Sequence, residues 1–260
     1  MEPTHGKHKA SKSASEDIIS RMPDNVITHI LDRLPIQYAV RTCILSRNWR
    51  FKWTLLSNVV FDKKFFEYSL GIVAVDWLGN IAITSSLVFH LVCHFPKLQD
   101  LYLDLRNCKF LEESGSTKWV STSFHCLRLL MLYPIDFNSD VKLSFAFDMI
   151  WGLPELQTLM ITAVYNDAVQ SYTLCSSSLN HISMGQLKLC SVVFKSFRAY
   201  ENEIYLIKKL LDCSPLLKKI DIYPSRSLMC GDNDRKLMLT KKLLKLQRAS
   251  SAAEANIYWS

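Results

Sequence analysis

Glycine is scarce in this chain, with seven in 260 residues. A backbone so poor in glycine has few places to wrap a phosphate, and neither G-x-x-x-x-G-K-S/T nor a strand-borne G-x-G-x-x-G occurs. H-E-x-x-H and C-x-x-C are absent as well, which removes the common zinc spacings. The eight cysteines are scattered. All but Cys230 lie in apolar runs, the setting of reduced, buried thiols in an intracellular protein. There is no N-x-S/T acceptor, and the first sixteen residues have no apolar core, so they do not read as a signal peptide. Long uninterrupted apolar runs are missing too. Ser69–Val92 comes nearest, but Gly71, Asp76, Gly79 and Asn80 interrupt it, and an aspartate inside a bilayer is costly. The expectation is therefore no membrane span, no cofactor and no metal.

What the chain does have is apolar mass. Hydrophobic residues make up 49%, enough for one large or two modest domains with a real core. The net charge of +7 is concentrated in a Lys-rich tail, residues 1–16, and near the other end. Nucleic-acid binding calls for lysines interleaved with aromatics on one face, and the clustering at the termini argues against it. The tail, without periodicity, reads as disordered.

Residues 17–62 organise the rest. Met22-Pro23-Asp24 predicts a helix start. Val26, Ile27, Ile30, Leu31 and Leu34 follow at helical spacing until Leu34-Pro35 ends the run. Ile36, Val40, Cys43 and Ile44 mark a second helix. A third segment carries Arg47, Trp49, Arg50 and Trp53. Three helices in so few residues form a thin core, with more apolar side chains than they can hide. The surplus must pack on the following domain or on a partner protein.

These residues carry a resemblance. Met22-Pro23-Asp24-x-Val26, Ile30-Leu31-x-x-Leu34-Pro35, Ala39-Val40-Arg41-Thr42 and Leu45-Ser46-Arg47-x-Trp49-Arg50 with Trp53 resemble the F-box of plant F-box proteins. The resemblance implies a three-helix module that docks on the Skp-family adaptor of a cullin-based ubiquitin ligase. Pro23, Ile27, Ile30, Leu31, Leu34, Pro35, Val40 and Trp49 form the expected contact set, with Trp49 and Trp53 also filling the module's own core.

Beyond it the chain repeats. Leu98-x-x-Leu101-x-Leu103, Leu127-x-x-Leu130-x-Leu132 and Leu156-x-x-Leu159-x-Ile161 share one internal spacing and recur every 29 residues. Fainter copies are Leu56-x-x-Val59-x-Phe61, Leu179-x-x-Ile182-x-Met184 and Leu217-x-x-Ile220-x-Ile222. This is the pattern of leucine-rich repeats, in which residues two apart on a short strand point into a core shared by stacked units. Phe95-Pro96, Leu153-Pro154 and Ser214-Pro215 each stop a return segment before a strand. Only three copies are clear, so a short array is expected.

The last seventy residues carry a second resemblance. Val192–Phe197 reads as a strand, Glu201-Asn202-Glu203-Ile204 opens a helix with Ile207, Leu210 and Leu211, Cys213-Ser214-Pro215 stops it, and Lys218–Ile222 is a strand. A basic helix-like stretch, Arg235–Arg248, leads into Arg248-Ala249-Ser250 and then Ala253 and Ile257. The order is similar to the FBD domain of plant F-box/LRR proteins. On its own the basic stretch would fit an anionic membrane or a calmodulin-like partner; the simpler expectation is a helix that covers the last repeat with its lysines in water.

The predicted organisation is α+β with an α/β repeat. A tail (1–16) precedes the three-helix module (17–62), a short leucine-rich-repeat solenoid with a parallel sheet and return helices (63–186), and an FBD-like C-terminal domain (187–260). His90, Cys93 and His94 share a possible helix face, and His125 adjoins Cys126, but neither set has the partners that metal binding or nucleophilic catalysis needs. The family implies a non-catalytic adaptor of the nucleus or cytoplasm, with the Skp-family subunit, a cullin beyond it and a protein substrate as partners.

Overall fold

The computed structural model describes residues 18–19, 21–62, 64–65, 95–106, 125–165, 185–230 and 233–259, the side chain of Arg235 excepted. The expected tail, the apolar segment Ser69–Val92, the His90/Cys93/His94 group and the triplet Leu179/Ile182/Met184 lie outside the described residues.

Among the described residues seven strands form one sheet: β1 (Asn58–Phe61), β2 (Asp100–Asp104), β3 (Leu129–Asp136), β4 (Thr158–Val164), β5 (Ser191–Phe197), β6 (Lys219–Pro224) and β7 (Glu254–Ile257). They lie side by side in chain order, and every pairing is parallel. Parallel neighbours require each connection to travel back across the array, so the sheet grows by one rung per repeat.

The register shows why the repeat was visible. Val59, Leu101, Leu130, Leu159, Val192 and Ile220 stand in one row, and Phe61, Leu103, Leu132, Ile161, Phe194 and Ile222 in the next. A third row precedes the strands: Leu56, Leu98, Leu127, Leu156, Leu189 and Leu217. Every member of the three rows is at most 2% exposed. A ladder of carbonyls ties the rungs together at the turn before each strand. The carbonyls of Ser57, Gln99, Arg128, Gln157 and Cys190 each accept two N–H groups from the next rung, such as Gln157 and Thr158 on Arg128 at 2.8 Å each.

The array is longer than the three clear copies predicted. The two faint triplets at Leu56 and Leu217 are full rungs. The fifth rung is Leu189-x-x-Val192-x-Phe194, whose strand was legible but whose place in the repeat was not, because a 33-residue interval separates Leu159 from Val192. β4 pairs with β5 directly, so the sheet runs without a break into the C-terminal region.

The return segments that are described are helical. Helix α3 (Asp140–Trp151) starts at Ser139, whose side chain accepts from the Lys142 N–H, and buries Leu143, Phe145, Ala146, Phe147, Met149 and Ile150. Helix α4 (Glu201–Cys213) buries Ile204, Leu206, Ile207, Leu210 and Leu211. The two helices meet through Phe147 and Tyr205, with ring centroids 6.0 Å apart. After β6 come the short helix α5 (Arg226–Met229) and helix α6 (Asn233–Leu244). Leu239 and Leu243 of α6 are buried and belong to the same core as the strands.

The N-terminal module holds α1 (Asp24–Leu31), α2 (Ile36–Arg41) and two single 3-10 turns, Thr42–Ile44 and Lys52–Leu55. The third segment is thus irregular turns and a 3-10 turn rather than an α-helix. Trp49 and Trp53 are buried, and their indole N–H groups donate to the carbonyls of Ile19 (2.8 Å) and Arg50 (3.2 Å). The Trp53 ring meets Phe95 edge-on at 5.4 Å, which joins the module's core to the first rungs.

The cysteine expectation is corrected. Of the five described cysteines none is fully buried, and Cys126 is exposed although it lies in an apolar run; Cys230, which lies outside such runs, is exposed as well. Cys126 and His125 sit in the turn before β3 and not on a strand, so an apolar sequence neighbourhood did not translate into burial.

Candidate functional site: the apolar module surface and the open sheet face

The eight residues expected to contact a partner separate by depth. Ile27 and Leu31 are completely buried and Trp49 is 3% exposed, so these three form the module's interior. Leu34 and Val40 are half-buried and pack on that core. Pro23, Ile30 and Pro35 are exposed. The helix face that the spacing predicted is real, but its most regular positions point inward.

Other apolar side chains stay outside. Ile18, Ile19, Val26, Ile30, Tyr38, Ile44, Leu45 and Phe51 are all exposed, Ile44 by 83% and Phe51 by 59%. Eight large apolar groups left in water on one small module are more than its short helices can hide. The periodicity of α1 covers only Val26 and Ile30 of these, and Ile44, Leu45 and Phe51 lie in turns where helical spacing carries no information about direction.

The second surface is the open face of the sheet. Between the buried rows runs a row of Val60, Tyr102, Met131, Met160 and Val193, one residue per rung, exposed or half-exposed. At β6 and β7 the row turns polar with Asp221 and Asn256. The Asp221 carboxylate accepts from Lys219 Nζ (3.1 Å), Asn256 Nδ2 (3.2 Å) and Tyr258 Oη (3.2 Å), and Tyr258 stacks on Tyr223 at 4.7 Å. Burial would raise the Asp221 carboxyl, but Lys219 and the two neutral donors hold it below the usual carboxylate range. At the other end Arg106 grips the buried Asp104 and lies over the Tyr133 ring at 5.1 Å.

A cavity of about 590 Å³ opens beside the carboxyl ends of β2 to β5, lined by Arg106, Tyr133, Asp136, Lys142, Thr162 and Ser196. Its wall near Ser196 is held by Glu203, which is fully buried. The Glu203 carboxylate accepts from Tyr165 Oη and from the backbone N–H groups of Arg198 (3.1 Å) and Tyr200 (2.8 Å), while the Arg198 guanidinium lies over the Tyr165 ring at 4.4 Å. Ser196 and Ala199 both have φ near +60°, a conformation rare for residues with a side chain, and Glu203 pins the loop between them. Among the described residues its partners are Tyr165 and backbone N–H groups, so the arrangement works as a structural lock.

Burial pushes the Glu203 carboxyl up to about 7, although four donors work in the other direction. A raised carboxyl means that the folded state keeps its proton to higher pH than the unfolded chain. This contribution to stability is therefore complete below about pH 4.5 and is lost as pH rises through about 7. Each unit is worth ~1.4 kcal/mol. Glu203→Gln is expected to flatten the decline in unfolding free energy between about pH 4.5 and 7, measured by urea denaturation; an unchanged slope would remove Glu203 as its source.

Among the described residues no His, Cys, Asp and Glu cluster could hold a metal, and no helix is long and apolar enough to cross a membrane.

Comparison with known proteins follows the same division. Residues 19–60 match the F-box domain family. An F-box/FBD/LRR-repeat protein of Arabidopsis thaliana is 50% identical over 76 residues, which is 29% of this chain and 18% of the relative. Two further Arabidopsis thaliana proteins match more broadly. A putative F-box/FBD/LRR-repeat protein is 27% identical over 65% of this chain and 47% of its own length. An F-box/FBD/LRR-repeat protein is 24% identical over 91% of this chain and 58% of its own length. The chain therefore spans between about a fifth and three fifths of the length of these relatives. No solved structure matches it. The family match falls on the helical module and the longer matches run on into the rungs: residues 19–60 carry an F-box, and over most of its length the chain is similar to F-box/FBD/LRR-repeat proteins of Arabidopsis thaliana.

Proposed function

We propose that this chain is a substrate-recognition adaptor of a ubiquitin ligase of the Skp–cullin–F-box kind. In this reading the F-box docks on a Skp-family subunit and, through it, on a cullin. The open face of the sheet and the C-terminal rungs hold a protein target. The chain supplies no catalytic group of its own, and ubiquitin transfer is accelerated by bringing target and ligase together. The nucleus or cytoplasm is the corresponding place of action, which imaging of a fluorescent fusion would check.

One observation carries the reading: an F-box whose surface leaves Ile30, Ile44, Leu45 and Phe51 in water while Ile27, Leu31, Trp49 and Trp53 complete its interior. A self-sufficient module would have little reason to keep both sets apolar. Interface centres are apolar and aromatic, which is the composition of the exposed set. The residues proposed for contact are accordingly Pro23, Ile30 and Pro35, with the edges of Leu34 and Val40 and the exposed Val26, Ile44, Leu45 and Phe51.

The test is co-purification of the full chain with a purified Skp-family subunit, beside a chain lacking residues 17–62. Retention by the full chain and loss by the truncated one is the expected result. Equal recovery of both would sink the proposal.

A further inference from the structure

Helix α6 faces two ways. Leu239 and Leu243, buried at 7% and 1% exposure, fix the helix on the array. At 3.6 residues per turn, Lys241 lies opposite them, and Lys245 stands one turn further on, at the helix's end. Leu237 and Leu244 line one flank of this outward face, and Met238 and Lys242 the other. Leu237 is 54% exposed, Met238 72% and Leu244 54%. Lys241, Lys242 and Lys245 are exposed and form no ion pair among the described residues. Asp234, on the same face, is two turns before Lys241, about 11 Å along the helix axis. Of the other described basic groups nearby, Lys236 lies over the Trp259 ring at 5.8 Å, and Arg248 donates to the Ala253 carbonyl.

We infer that the outward face of α6 is a docking site for an acidic protein surface, a groove lined by carboxylates with an apolar rim. The basis is the order of charge and apolarity across the face. Lysines run down its middle and reach further than the flanking Leu and Met side chains. A partner that receives this face needs carboxylates at the floor of a groove and apolar groups at its edges, the inverse of a groove that takes an apolar helix face. A lipid surface fits less well, because helices lying on membranes carry their apolar residues in the middle and lysines at the sides. Here the central ammonium groups would enter the bilayer ahead of the leucines. A nucleic-acid backbone would accept the lysines but leave Leu237, Met238 and Leu244 without a counterpart. The site is on the opposite end of the chain from the F-box and does not depend on adaptor docking.

The experiment uses the full chain and a fluorescein-labelled helical peptide that presents the same lining, with glutamates along the centre of one face and leucines on both sides of them. Anisotropy is expected to report binding that falls steeply with added salt. Lys241→Glu with Lys245→Glu should weaken it roughly tenfold or more, on the scale of paired interfacial charges. Leu237→Ser with Leu244→Ser should also weaken it. Lys208→Glu with Lys218→Glu, an equal change of charge on exposed lysines elsewhere, should leave it within about twofold, as expected where charge acts only at long range. A matched peptide with glutamine for glutamate should not bind. The inference is overturned if the acidic peptide fails to bind, if both lysine pairs weaken it equally, or if phosphatidylcholine–phosphatidylserine vesicles or duplex DNA are held as tightly as the peptide.

Discussion

Phe194→Ala is expected to lower the unfolding free energy by about 3–5 kcal/mol, the cost of emptying a buried aromatic site. Phe194 is fully buried in β5, with Phe137 and Phe197 each 5.4 Å away and Ile161 and Ile222 beside it on the neighbouring strands. The cavity would sit in the middle of the array, where rungs on both sides are held in register and cannot close over it. Met160→Ala, one strand away on the open face, removes a half-exposed side chain and should cost well under half as much. Chemical denaturation of both variants checks this. Similar losses would mean that the two faces of the sheet are equally enclosed, contrary to the alternation of burial along β3 and β4.

Trp49→Ala is the second large effect, and it separates folding from docking. The indole is buried, and its N–H donates to the Ile19 carbonyl at 2.8 Å. Truncation should cost about 3–5 kcal/mol, comparable to all the stability that a module of this size can have. Retention of the Skp-family subunit is therefore expected to disappear together with the module's cooperative unfolding transition. Ile44→Glu behaves differently under the proposed reading. At 83% exposure its side chain supports nothing inside the module, so melting should be unchanged while adaptor affinity falls at least roughly tenfold, as for an apolar interface anchor replaced by a charge. If Ile44→Glu binds as well as the parent chain, and Ile30→Glu does too, the exposed set is not the docking surface.

The partition between those two residues shows how far the sequence can be read. Trp49 and Ile44 are both apolar, and both fall within a segment whose order of motifs identifies the F-box. Nothing in the order of residues says that one goes in and the other stays out. That is decided by turns at Thr42–Ile44 and residues 47–51, where successive side chains point in directions no fixed period describes. Ile27 and Leu31 show the converse. Their spacing announced a buried face, which is the face least able to touch a partner.

The sheet was legible because its signal is periodic. A leucine at Leu98, Leu127 and Leu156 and apolar residues three and five later suffice to specify a strand with one buried side, and identical rungs stack in register wherever the pattern recurs. What the chain order by itself determined is the identity of the helical module, the repeat and most of the strands and helices of the C-terminal region, because each depends on near neighbours and their spacing. What tertiary structure alone decided is the count of rungs, the continuity of β4 with β5, the Glu203 lock, and which apolar side chains remain in water. These depend on groups dozens of residues apart meeting across the core, such as Tyr165 with Glu203 and Trp53 with Phe95, and burial is a property of that meeting and not of any local stretch.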